Sequence, residues 1–198
     1  MIALKYDQDY TQVFHSPGVE PWITGLLKVV RPRSVLDVGC GFGFWGVDRV
    51  VCVDVDPVKV GFSRGLGVYS ELHVSDIRSF ECAGCFDAVL AIESIHGIID
   101  ADLIRRLESM VRDGGLIVMA LPGSRLGGRV LTSLGYNVCR YLLRGFILIR
   151  VDGGEVLVYP SHVWMLADTL LRLLAPLLRF FGVLDRGYLL AYKVVRHG

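Results

Sequence analysis

Apolar residues recur along this chain in two rhythms. Residues 19–30 (VEPWITGLLKVV) place them at helical spacing, and the pattern stops at Arg31-Pro32, as helices do before proline. SVLDV (34–38) is a short apolar run entering a glycine cluster, which predicts a buried strand. VVCVDVD (50–56) is a second such run. VYSELHVSD (68–76) alternates and predicts a third strand, and FDAVLAI (86–92) a fourth. IRRLESMVRDGG (104–115) reads as a helix closed by its glycines and feeding a strand at GLIVMALP (115–122). Strands separated by helical stretches predict an α/β domain with a mostly parallel sheet.

Residues 124–162 break this alternation. FILIRVDGGEVLVYP (146–160) holds two β-rich runs around Asp152-Gly153-Gly154, a hairpin signal, so 124–162 is expected to be an inserted cap containing a β-hairpin. HVWMLADTLLRLLAPLLRFFG (162–182) predicts an amphipathic helix interrupted at Pro176, and YLLAYKVV (188–195) a final strand. With 198 residues, the chain is expected to form a single domain spanning 1–198.

Composition sharpens this in three ways. A 53% hydrophobic content opposes disorder, while no uncharged run approaches the roughly 20 residues of a membrane span. Five cysteines, an odd number without framework spacing, argue for a reducing compartment. With charge appearing early in MIALKYDQDY, the expected location is the cytoplasm. Cys82-Ala-Gly-Cys85 lacks the second pair a zinc site needs, so no metal is expected. A net charge of +1 gives no strong nucleic-acid signal. The charge is uneven, however: residues 1–123 carry 11 basic and 16 acidic side chains, residues 124–198 carry 10 and 4.

The most informative stretch is Val35-Leu-Asp-Val-Gly39-Cys-Gly41-Phe-Gly43. Glycines at every second position after a buried strand permit a tight turn and close backbone approach to a ligand. The carboxylate of Asp37 separates two readings. A pyrophosphate at a helix N-terminus has no use for it, whereas a ligand bearing an ammonium group does. Gly41-Phe-Gly-Phe-Trp-Gly46 also fits the dinucleotide pattern, but its ribose acid should lie about 20 residues beyond the loop. Asp54 follows Gly43 by only 11, which counts against a nicotinamide oxidoreductase.

In these residues the chain resembles the class I S-adenosylmethionine-dependent methyltransferases, whose first motif is acid-x-Gly-x-Gly-x-Gly. Asp54 and Val55 resemble the end of that family's second strand, where an acid holds both ribose hydroxyls. Ser75-Asp76-Ile77 is similar to the turn that meets the adenine amine. Glu93-Ser-Ile-His96 follows strand four, and Val111-Arg-Asp-Gly114-Gly115 resembles the turn before strand five. The resemblance implies a Rossmann-like, mostly parallel sheet sandwiched by helices, with an antiparallel last strand. The short step from Gly43 to Asp54 further implies a shortened first helix. The cofactor implied is S-adenosyl-L-methionine, held by Asp37, Gly39, Cys40, Gly41, Gly43, Asp54, Val55, Asp76, Ile77 and Glu93. His96 is the candidate general base, with a strand-end packing role as its alternative. Asp56, before Pro57, is expected to cap the following helix instead.

The expected methyl acceptor is a small molecule, and Arg125, Arg129, Arg140, Arg144 and Arg150 suit one that carries a carboxylate or phosphate. A protein or RNA acceptor, and a non-catalytic cofactor-binding subunit, stay open as alternatives.

Overall fold

A computed structural model describes residues 23, 26–28, 30–40, 47–95, 97–122, 125–141, 147–152, 155–160, 174 and 188–197. The strands are β1 (Ser34–Val38), β2 (Arg49–Asp54), β3 (Glu71–Val74), β4 (Phe86–Ile92), β5 (Val111–Pro122), β6 (Asn137–Tyr141), β7 (Ile147–Asp152), β8 (Glu155–Pro160) and β9 (Tyr188–Val194). Between them lie helices α1 (Pro57–Leu66), α2 (Ala101–Met110) and α3 (Arg125–Ser133). Residues 23, 26–28 and 30 are helical as the sequence predicts. The helix expected over 162–182 lies outside the described residues apart from Leu174, which is helical.

Seven strands form one sheet in the order β3-β2-β1-β4-β5-β9-β6. β1 to β5 pair in parallel, and β9 runs antiparallel to both β5 and β6. The expected mostly parallel sheet with an antiparallel last strand is therefore present. Its strands carry apolar residues on both sides because both faces are covered. Leu36, Val38, Val51, Val53, Val89 and Ile117 face a core closed by Leu103, Ile104 and Leu107 of α2. The intervening residues Val35, Val50, Cys52, Leu90 and Val118 face Ile23, Leu26 and Leu27 with Val60 of α1. The period-2 alternation of each strand thus feeds two separate cores.

The predicted hairpin is present as β7 and β8, paired from Ile147↔Pro160 to Asp152↔Glu155. α3 and β6 also fall within 124–162, and β6 extends the main sheet through β9.

Two local expectations are corrected. Gly114-Gly115 does not close the helix, because α2 ends at Met110 and Val111 already pairs with Phe86 of β4. A β-branched residue with a strand partner stops the helix earlier than the glycines would. Gly114 instead takes a φ of 75°, and a Cβ on Gly115 would stand 2.7 Å from the Asp87 carbonyl oxygen. Four of the five cysteines form disulfides, although their spacing shows no framework. Cys40 pairs with Cys52 and Cys82 with Cys85, at Cα separations of 5.5 and 5.6 Å, within the span a disulfide bridges. The first pairing was invisible in the spacing because the β1–β2 register creates it. Among the described residues, no helix is long and apolar enough to cross a membrane.

Candidate functional site

The sheet reverses its order of strand addition between β1 and β4. Ligands bind open α/β sheets outside the carboxyl ends of the strands at such a point. Asp37, Gly39, Cys40, Asp54, Val55, Asp76, Ile77 and Glu93 all lie at or just beyond the carboxyl ends of β1 to β4, so the fold gathers these sequence candidates along one edge. Gly41, Gly43 and His96 lie outside the described residues.

The turn out of β1 depends on a glycine. Gly39 has a φ of 75°, and a Cβ there would collide with the Ser94 side chain, whose Oγ would be 3.1 Å away. Its N–H donates to the Val53 carbonyl at 2.8 Å, tying the start of the loop to β2. Close approach of two backbones at a ligand edge is what glycine allows. The next residue, Cys40, is buried and bonded to Cys52 of β2.

Asp37 and Asp54 are buried on adjacent strands. Asp37 follows Val35, and Asp54 follows Cys52, by the two-residue step that keeps side chains on one sheet face. The Tyr69 hydroxyl donates to Asp37 Oδ2 at 2.9 Å. Asp54 Oδ1 accepts the Asp56 N–H at 2.9 Å. Burial nevertheless raises the Asp54 carboxyl above its ordinary value, against the lowering pull of that N–H and of Lys59. Asp56 caps α1 as expected: its side chain accepts the Val58 N–H at 2.9 Å, with Pro57 in the first turn.

The other candidates differ in what they expose. Val55 is 64% exposed beside the end of β2. Asp76 is exposed, and its carboxylate accepts the Arg78 N–H at 2.8 Å, closing its own turn. Ile77 sends its side chain into the core, so its contribution at this edge is limited to backbone. Glu93 is buried, with a left-handed φ of 56° that a residue with a Cβ adopts only at a cost. Its N–H donates to the Ala120 carbonyl, which holds that conformation at the sheet edge. Such strain concentrates where a side chain must be aimed at a ligand.

Two residues join the site without having been singled out in the sequence. Tyr69 reaches Asp37 from the turn before β3, and no local motif signals that contact. Ser94 packs against Gly39, and its Oγ is buried with no hydrogen-bond partner among the described residues. A buried hydroxyl without a partner, at a sheet edge built for ligands, is an unfilled hydrogen-bonding capacity.

No protein-family model matches this chain, and no curated protein matches it. Solved structures do. The N-methyltransferase NodS from Bradyrhizobium japonicum WM9, in complex with S-adenosyl-L-homocysteine, is 14% identical with a TM-score of 0.57, over 94% of this chain and 91% of that one. The plantazolicin methyltransferase BpumL, in complex with a triazolic desmethylPZN analog and S-adenosylhomocysteine, is 14% identical with a TM-score of 0.63, over 98% and 90%. The [4+2]-cyclase SpnF is 16% identical with a TM-score of 0.54, over 88% and 82%. At these identities the likeness establishes the fold: this chain has the Rossmann-like class I methyltransferase fold.

Proposed function

We propose that this protein is an S-adenosylmethionine-dependent methyltransferase acting on a small molecule. The reading is carried by one observation: two buried carboxylates, Asp37 and Asp54, share a face at the carboxyl edge of adjacent strands. They answer two different ends of one ligand. Asp37 suits an ammonium group. Asp54, whose ionised form is disfavoured by burial, suits a pair of vicinal ribose hydroxyls that would donate to it. The Ser94 Oγ, without a hydrogen-bond partner among the described residues, and the close-packed Gly39 fit a ligand lying across this edge.

On this reading, exposed Val55 packs on the purine while Asp76 and the backbone of Ile77 meet its polar edge. Backbone at Gly39, Cys40, Gly41 and Gly43 admits the ligand closely, and Glu93 shapes its amino-acid end. The bound cofactor supplies a methyl group already activated by its sulfonium. The chain therefore has to align a nucleophile in line with that methyl, exclude water and, for a protonated acceptor, accept a proton, the role proposed for His96.

The acceptor is proposed to be a small anion. α3 carries Arg125 and Arg129, β6 carries Arg140 and β7 carries Arg150, with the β7–β8 hairpin as the proposed cap. The methyltransferase names of NodS and BpumL support transfer. The SpnF name is a reason to test transfer directly.

Calorimetric titration with S-adenosylmethionine and S-adenosylhomocysteine tests the cofactor half, and binding of both in the micromolar range is expected. Binding of neither, or a thermal shift with NAD(H) alone, would overturn the reading. Transfer of labelled methyl to carboxylate- or phosphate-bearing acceptors, lost when Arg129 and Arg150 are replaced by alanine, tests the acceptor half.

A further inference from the structure

Tyr69 hydrogen-bonds a site acid from outside every motif that marks the site. Its backbone is fixed on both sides. α1 ends at Gly67 in a left-handed conformation, with φ 65°. Ser70 then clamps onto β2, donating its N–H to the Val50 carbonyl at 2.8 Å and accepting the Val50 N–H on its Oγ at 3.3 Å. Between these anchors the Tyr69 ring enters the apolar cluster beside Val50, Cys52 and Val60, and its hydroxyl meets Asp37 Oδ2 at 2.9 Å.

A phenol placed in an apolar cluster loses its water, and this one regains a strong partner in a carboxylate. Burial first, then the negative charge of Asp37 and its hydrogen bond, then Asp54, drive the Tyr69 hydroxyl far above its ordinary acidity range. It therefore remains protonated, a standing donor under all ordinary conditions. A carboxylate bonded to such a donor is held in one rotamer rather than left to select one when ligand arrives.

We infer that Tyr69 is a positioning residue for the amino-acid end of the cofactor, holding the Asp37 carboxylate where it meets the ligand's ammonium group. The inference rests on the cofactor reading proposed above and deepens it. Tyr69 touches no reacting atom. It acts through Asp37.

The experiment compares two ligands that differ at that end. S-adenosylhomocysteine carries the ammonium and carboxylate; 5′-methylthioadenosine keeps the adenine, ribose and sulfur and lacks both. Each is titrated calorimetrically into the wild type, Tyr69→Phe, Asp37→Asn and the double variant, with thermal melting of all four. Tyr69→Phe is expected to weaken S-adenosylhomocysteine about 5- to 10-fold, the scale of one hydrogen bond to a charged group, and to leave methylthioadenosine within about 2-fold. Asp37→Asn must show the same split, larger. In the Asp37→Asn background, Tyr69→Phe should have no further effect on S-adenosylhomocysteine.

Equal losses for both ligands would mean that the hydroxyl acts through Asp54 or through general packing, and would overturn the inference. An undiminished loss in the Asp37→Asn background would do the same. Should Tyr69→Phe fail to fold, the absence of a ligand split in Asp37→Asn alone overturns it. A folded wild type that binds neither ligand removes the cofactor reading itself, an outcome distinct from unequal or equal losses among the variants.

Discussion

The parallel strands carry acids at both ends, and the two ends treat them oppositely. At the amino end, Asp87 of β4 is surrounded by donors. The N–H groups of Arg33 and Ser34 donate to its Oδ2 at 2.8 and 2.9 Å, the Ser34 hydroxyl at 3.1 Å, and Arg112 pairs with Oδ1 at 3.0 Å. Burial pushes this carboxyl up, but those N–H groups, that hydroxyl and Arg112 together bring it below its ordinary value. At the carboxyl end, Asp54 has fewer donors and burial prevails. One end spends its donors on holding strands together. The other gathers the buried Asp37 and Asp54, a left-handed Glu93 and a Ser94 hydroxyl with no hydrogen-bond partner among the described residues. The carboxyl at the amino edge is lowered by its donors while burial raises Asp54 at the other edge, and buried groups of that second kind concentrate at ligand sites.

The sharpest way to break this contrast is Gly39→Ala. It combines a left-handed backbone with collision against Ser94, so a loss of about 3 kcal/mol or more in unfolding free energy is expected, together with cofactor affinity. Denaturant unfolding that moves by less than about 1 kcal/mol would show that the β1–β4 approach is not tight.

Asp87→Ala should cost about 2–3 kcal/mol by stranding the Arg33 and Ser34 N–H groups, yet leave S-adenosylhomocysteine affinity within about 2-fold. Asp54→Asn should do the reverse. An affinity loss of about 10- to 100-fold is expected, with stability at pH 7 no lower than in the wild type. If either variant moved both quantities equally, the division of labour between the two ends would fail.

The pH dependence carries the same signature. Because the folded carboxyl of Asp87 lies below 3.8, its stabilisation is complete above that value and is lost as pH falls through the folded pKa. The folded carboxyl of Asp54 lies above 3.8, so its ionisation opposes folding, and that penalty grows as pH rises through the folded pKa. Melting curves from pH 3 to pH 7 should therefore show the Asp87→Ala deficit widening with pH while Asp54→Asn gains on the wild type. The smallest effect is expected at Glu93. Glu93→Gly relieves the left-handed strain and should change stability by no more than about 1 kcal/mol while lowering methyl transfer. A larger loss of stability would give Glu93 a structural role.

Much of the candidate site was legible because it is local. Asp37, Gly39, Asp54 and Glu93 belong to strand ends, and the alternation of β1, β2 and β4 announces those ends in the sequence. What escaped the sequence depends on strands meeting. Cys40 finds Cys52 only through the β1–β2 pairing, and Tyr69 finds Asp37 only because Ser70 clamps its turn onto Val50. The premature end of α2 has the same origin, since Val111 is claimed by Phe86 across the sheet. Periodicity records which residues are buried. It does not record which buried residues touch.

The placement of β9 also bears on the order in which the molecule can mature. β1 to β5, with the whole candidate cofactor edge, are synthesised once the chain reaches Pro122. Among the described strands β6 pairs with β9 alone, and β9 is made later yet lies inside it in the sheet. On a ribosome, the cofactor half can assemble while β6 still waits for its neighbour, since chains fold from the N-terminal side as they emerge. Ligand bound to the nascent chain would then stabilise that early half by mass action. The flank bearing Arg140 would be the last part to close.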